Sequence, residues 1–338
     1  MLICPYRRAG PMEPEYVEGN FLGLPETGDD VDVVVLSLPY ELTTSYGQGT
    51  AEGPAACIES SAQVELYDPL LPQDLPCGLS IHTHHPWDGE EGTLLQQLDS
   101  MTGYLIPWLT GDCFPLVLGG EHGILPAIMQ AQSVPLEELT VVQLDAHADL
   151  RSHLDGEKWS HACAAARALD LGLGALLQIG IRAYCREEAE RMESDSRVNS
   201  FLARDLLNPC EGQTAWMGCM EALRELSGPV HLSIDIDGMD GTLVPDTGTP
   251  VPGGLQMWHA VEIIEALFSN PSVRVVSADV NEIVPGRESP LTQFTAAMLS
   301  TKVIAGHAKA RQEGLWQSSH KGGKVRLPVD CSFFSSIE

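Results

Sequence analysis

The stretch VVQLDAHADL, residues 141–150, decides how this chain folds and where its chemistry lies. Val141 to Leu144 read as the end of a strand covered on both faces, because apolar or neutral side chains occupy consecutive positions. Asp145, His147 and Asp149 then follow at alternate positions. Residues two apart in an extended chain point to the same side. Three polar groups therefore converge just past a strand's carboxyl end, where ligand sites gather in open α/β sheets.

Two further stretches repeat the pattern. LSIDIDGMDG (232–241) ends an apolar strand with Asp235 and Asp237, and Asp240 lies beyond. LGGEHGI (118–124) runs from a strand through a glycine turn to His122 at the start of a helix. One stray aspartate at such a position reads as a turn former or helix cap. Three agreeing strand ends read as a metal centre. Clustered carboxylates repel one another and take up protons unless cations neutralise them, and two divalent ions balance four negative charges. Carboxylates and imidazoles without thiolate suit Mn²⁺, with Fe²⁺, Co²⁺ or Ni²⁺ as alternatives. Zinc more often takes four ligands, frequently with sulfur.

Strand-like runs at 31–40, 114–120, 139–147, 175–182, 229–237 and 273–282 alternate with helix-like segments at 53–63, 93–110, 123–132, 160–170, 216–227, 255–269 and 291–308. That alternation predicts a single three-layer α/β domain with a mainly parallel sheet over 31–308. Residues 1–30 read as an N-terminal extension and 309–338, where the rhythm breaks, as a C-terminal tail. IHTHHPW (81–87) brings His82, His84 and His85 together and is read as a surface hairpin rather than a second metal site.

The 338 residues carry 47 acidic and 19 basic side chains, a formal charge of −28. That balance argues against nucleic acid or an anionic membrane as partner and suits a small cation. It also serves solubility in salty surroundings. No apolar run approaches the roughly 18 residues of a membrane span, and the N-terminal stretch lacks the apolar core of a secretion signal. The nine cysteines are scattered with no C-x-x-C pair, as expected of reduced thiols in a cytoplasmic protein.

GGEH (119–122), DAHAD (145–149) and SIDID (233–237), in this order, resemble the ureohydrolase family of arginase, agmatinase and related guanidino hydrolases. The resemblance extends to PYELTTSYGQGTAEGP (39–54), TGTPVPGGL (247–255) and SADVNEIVP (277–285), and covers roughly residues 30–307. DLRSHLDGEKWSHACAAAR (149–167) is closer to the agmatinase branch. Gly123, where many relatives carry serine, and Gly241 and Asp246 depart from the family pattern without touching the six ligands.

The resemblance implies two Mn²⁺ per subunit. His122, Asp145, Asp149 and Asp235 would hold one, and His147, Asp145, Asp235 and Asp237 the other. It implies a proton-shuttling role for His161 and a guanidinium-gripping role for Glu282, with Asp279 in its support. Asp149 would also move a proton in catalysis. His161 has a plainer reading as a packing residue, and Glu282 as a salt-bridge former. The expected reaction converts agmatine to putrescine and urea, with aminopropylagmatine, guanidinobutyrate or arginine as alternative substrates. The family implies a homo-oligomer, trimer or hexamer. The same fold also serves single-zinc amide deacetylases, a rival class in which His122 and a bridging Asp145 would have no metal.

Overall fold

The apolar runs form strands β1 (Val33–Leu38), β2 (Ile81–Thr83), β3 (Phe114–Gly119), β4 (Thr140–Leu144), β5 (Ala175–Ile181), β6 (Val198–Leu202), β7 (Gly228–Asp235) and β8 (Val273–Asn281). The computed structural model describes residues 18–25, 31–89, 92–286 and 288–317. All eight strands join one parallel sheet in the order β2-β1-β3-β8-β7-β4-β5-β6.

Alternate residues of each strand serve two separate cores, which is why the runs are continuously apolar. Val33 and Val35 enter one core, and Val34, Leu36 and Leu38 the other. The first core is covered by α1 (Gly53–Ser61), α7 (Gly212–Glu225), α8 (Met257–Ser269) and α9 (Leu291–Gln312). The second is covered by α2 (Leu94–Leu105), α3 (Leu125–Ala131) and α4 (Ala164–Asp170), while α5 (Arg186–Ser194) and α6 (Ala203–Leu206) pack beside β6. The expected three-layer α/β architecture is therefore present. No helix among the described residues is long and apolar enough to cross a membrane.

Two strands escape the sequence pattern. Ile81–Thr83 and Val198–Leu202 are the sheet's edges, short and partly polar, and only one face of each needs apolar cover. The first corrects the reading of IHTHHPW as a hairpin. Ile81, His82 and Thr83 pair in parallel with Val33, Val34 and Val35. The imidazoles that follow pack on aromatic rings, with His84 centred 4.8 Å from Trp108 and 5.7 Å from Tyr104. At the other end, α9 continues past residue 308 to Gln312. Trp316 then folds back, 4% exposed, with its ring 4.6 Å from that of His307.

Strands β3, β8, β7 and β4 lie side by side at the sheet centre. Leu144 is level with Ile234, and Asp235 with Asn281. The next residues after β4 and β8, Asp145 and Glu282, therefore emerge beside Asp235 at the carboxyl ends of the central strands. Gly238 permits this close approach, since a Cβ there would sit 2.6 Å from the Asp145 amide nitrogen.

Candidate metal centre

Asp145 is fully buried, with Oδ1 accepting the His147 amide at 2.6 Å and Oδ2 accepting Gln143 Nε2 at 2.6 Å. His122, one turn past β3, aims Nδ1 at Asp149 Oδ2 (2.9 Å), Asp145 Oδ2 (3.2 Å) and Asp235 Oδ2 (3.6 Å). Across Asp145, His147 Nδ1 lies 2.9 Å from Asp237 Oδ2 and 3.7 Å from Asp145 Oδ1. The side chains of His122, Asp145 and Asp149 form one group able to hold a metal ion, and Asp145, His147 and Asp237 a second. Within each group the ligand atoms all lie within 4.8 Å of one another. Asp145 belongs to both. Asp235 joins the first through its approach to His122, and its other oxygen accepts the Asp237 amide at 2.9 Å.

The tautomer of His122 tests whether these groups fit a cation. Its Nε2 meets Ser233 Oγ at 3.0 Å, and that hydroxyl donates to Asp279 Oδ1 at 3.1 Å. Ser233 has one proton to give, so Nε2–H must be the donor in the first contact. Nδ1 then faces three carboxylate oxygens; burial opposes a charge there, but Asp145 and Asp149 outweigh it and raise His122 well above the ordinary imidazole value, so without a metal they hold a proton on Nδ1. A cation that displaced that proton would meet the ring nitrogen and the three oxygens together, which is the coordination geometry of a metal ion. The oxygen-rich donor set with one imidazole in each group suits a hard or borderline divalent ion.

The electrostatics agree. Burial, and then the charges of Asp149 and Asp237, push the Asp145 carboxyl up to about 7. Burial, Asp237 and Asp145 carry Asp235 well above the carboxylate range. Burial pushes Asp237 up as well, but His147 beside it overrides this and brings it to about 2. His147 is in turn raised to about 10, with Asp237 outweighing burial. Without a metal, protons held on His122, Asp145, His147 and Asp235 offset the cluster's charge. Arg182, beneath it, spends its guanidinium on the carbonyl oxygens of Asp237, Met239 and Val251.

Two site residues hold strained backbone. Asp149 has φ +52° and Glu282 φ +59°, in the left-handed region that non-glycine residues seldom adopt. Such strain persists only where the surroundings over-determine it. Here Ala166 donates to the Asp149 carbonyl at 2.9 Å. Glu282 donates its amide to the Gly120 carbonyl at 2.7 Å and receives Thr247 Oγ1 on its own carbonyl at 2.8 Å. The Glu282 side chain, 7% exposed, accepts the His122 amide on Oε1 at 2.7 Å. Burial lifts its carboxyl well above the usual range.

A cavity of about 220 Å³ opens over the cluster, lined by His122, His147, Asp149, Asp235, Asp237 and Glu282 together with His161, Ser45, Arg151, Glu188 and Thr249. His161, at the start of the short turn before α4, is thus brought to the same site. Asp240 is not. Its carboxylate binds the amides of Thr242, Gly253 and Gly254 and braces a loop. His153 is exposed and bonded to Ser152 Oγ. Asp279 supports His122 through Ser233, while its Oδ2 meets His231 Nε2 at 2.6 Å.

Sequence reasoning left Ser233, His231, Gln143, Glu188 and Glu121 without roles. For the first two the signal was present. His231, Ser233, Asp235 and Asp237 continue one alternation along β7, as Ser277, Asp279 and Asn281 do along β8. Glu188 and Glu121 carry no such local sign, because their partners come from distant segments. Glu188 accepts the amides of Leu150 (3.1 Å) and Cys185 (2.7 Å) and stands 3.7 Å from Arg151.

The family profile of arginase matches residues 31–306. The N(1)-aminopropylagmatine ureohydrolase of Synechocystis sp. is 35% identical over 298 residues, covering 85% of this chain and 92% of its own. The agmatinase of Bacillus cereus is 31% identical over 290 residues, with 83% and 93% covered. In three dimensions, the agmatine ureohydrolase of Thermoplasma volcanium overlays with a TM-score of 0.71 at 28% identity, covering 84% of this chain and 92% of its own. These likenesses set aside the deacetylase alternative. The strand-end site and its relatives together establish that this chain belongs to the arginase family, as an agmatinase-like ureohydrolase that acts on guanidino compounds.

Proposed function

We propose that the chain hydrolyses agmatine to putrescine and urea with two Mn²⁺ ions per subunit. The observation that carries the substrate is the charge of the cavity. With Asp149, Asp235 and Asp237 given to the ions, Glu282 and Glu188 are the carboxylates of the lining left to face a substrate, and the one guanidinium among the lining residues, Arg151, already faces Glu188. A substrate cationic at both ends suits such a lining, whereas the α-carboxylate of arginine would meet no free cation there. N(1)-aminopropylagmatine is the second reading, favoured by the 35% identity to the Synechocystis enzyme.

His122, Asp145, Asp149 and Asp235 would hold one ion, and His147, Asp145, Asp235 and Asp237 the other. When bound, the pair supplies a nucleophile from water at neutral pH and offsets the carboxylates' charge. Glu282 orients the guanidinium. Its Oε1 is occupied by the His122 amide, which leaves Oε2 for the substrate and fixes the reacting carbon by proximity. The two protons of the attacking water both end on the departing nitrogen. Asp149 carries the first, so that the C–N bond breaks to a neutral amine. His161 carries the second, so that the product leaves as an ammonium ion while urea keeps the oxygen. The enzyme works as a cytoplasmic homo-oligomer, trimer or hexamer, which a solution mass checks.

Urea release with Mn²⁺ from agmatine, N(1)-aminopropylagmatine, guanidinobutyrate and arginine tests the assignment. The highest kcat/KM is expected on agmatine. Turnover of arginine alone overturns it.

A further inference from the structure

Glu121 is a buried carboxylate that the reaction above leaves unused. It is fully covered, yet it is neither among the grouped metal-binding side chains nor a lining residue of the cavity. Its oxygens reach instead to the loop after β1. Oε2 accepts the amides of Leu42 at 2.9 Å and Thr43 at 2.6 Å, and Oε1 accepts the Thr43 hydroxyl at 2.6 Å. Gly123 leaves room for this, since a Cβ there would lie 2.8 Å from Glu121 Oε1.

Thr43 then touches His161 twice. Its Oγ1 accepts the His161 amide at 2.9 Å and lies 3.2 Å from Nδ1 of the ring. Burial raises the Glu121 carboxyl, while the two amide groups and the hydroxyl converging on it, and His161 nearby, favour its ionised form. The single Thr43 proton is therefore spent on Glu121, and the hydroxyl can only accept from His161. Nδ1 must carry a hydrogen, shared with Ser160 Oγ at 3.3 Å, and Nε2 remains the ring's free acceptor.

We infer that Glu121 and Thr43 form a relay that positions His161 and sets its tautomer for proton transfer. This rests on the role proposed for His161. Neither residue touches substrate, so both are positioning residues. The relay holds a proton on Nδ1, so that the ring takes and releases its catalytic proton at Nε2. When Nε2 is protonated, the imidazolium's charge is met through the Thr43 hydroxyl by the Glu121 carboxylate. The arrangement follows the general rule that a catalytic base is itself oriented by a third group. It also explains why the loop at 41–49 is anchored beside the site.

A double-mutant cycle on the Mn²⁺-loaded full chain tests the relay, with agmatine and N(1)-aminopropylagmatine as substrates. Thr43→Val is expected to lower kcat by about 10–100-fold, part of the contribution of a positioned acid–base group, and to change KM by less than about threefold. Thr43→Ser, which keeps the hydroxyl, is expected to restore kcat. In a His161→Asn background Thr43→Val should cost nothing more, because groups acting as a unit are non-additive. An equal loss in that background, or no rescue by serine, contradicts the relay while leaving His161 its role. Wild-type turnover by His161→Asn contradicts that role and the relay with it. Glu121→Gln taken through the same cycle gives an independent answer if Thr43→Val does not fold.

Discussion

His122 shows how much of the account rests on single atoms. One ring nitrogen is bound to Ser233, and the other faces Asp145, Asp149 and Asp235 with no hydrogen bond. Because Asp279 sets the polarity of that contact, Asp279→Asn should weaken Mn²⁺ binding by about 10–100-fold, as read by metal titration of the folded variant. Unchanged affinity would show that the Ser233–Asp279 pair does not tune the ligand. Glu282→Gln should keep both ions and lower kcat/KM by about 10–100-fold, the worth of a charged hydrogen bond to the guanidinium. Loss of metal instead would show that Glu282 serves the cluster rather than the substrate. Period-two alternation made Asp145, His147, Asp149, Asp235 and Asp237 legible. The same period ran back to Ser233 and His231, yet apolar neighbours masked it. The left-handed backbones of Asp149 and Glu282 leave no mark in composition, because they are held by hydrogen bonds donated by Ala166 and Thr247 and accepted by the Gly120 carbonyl.

The elements place those atoms by register. The central strands β3, β8, β7 and β4 were legible because both faces are buried, so apolar residues fill most consecutive positions and the polar ones, such as His231, Ser233 and Asp279, pair with one another. The edge strands β2 and β6 were not, since one-sided cover leaves His82, Asn199 and Ser200 within them. The pairing of Ile81–Thr83 with Val33–Val35 is a contact between distant segments that no local pattern announces. The loop after β7 meets β4 through Gly238, whose Cβ would collide with backbone. Gly238→Ala should therefore destabilise the protein by about 1–3 kcal/mol and spread Asp145 from Asp235. Denaturant unfolding and metal content measured together check this. Wild-type stability with two ions bound would show that the strand ends are not as close as 2.6 Å implies.

Across the whole molecule, acidity and metal binding are linked. The folded Asp145 carboxyl lies at about 7 against an ordinary 3.8, and the His147 imidazole at about 10 against 6.5. Both are raised, so their contribution to stability is present below the unfolded values and lost as pH rises through the folded ones. Asp237, depressed to about 2, contributes above its unfolded value and loses that contribution only in strong acid. Between pH 5.5 and 8.5 the metal-free site therefore grows less stable as protons leave. A divalent ion that must displace those protons binds more tightly over the same range. The difference in Tm between Mn²⁺-loaded and chelator-treated protein should widen with pH. A gap that is constant or narrows would contradict the coupling. The most direct test of the central claim, a pair of divalent ions caged at three strand ends, is metal content per chain measured alongside urea release. Two manganese ions per chain are expected, with activity that vanishes on their removal and returns with Mn²⁺. A fully active preparation without metal would contradict it.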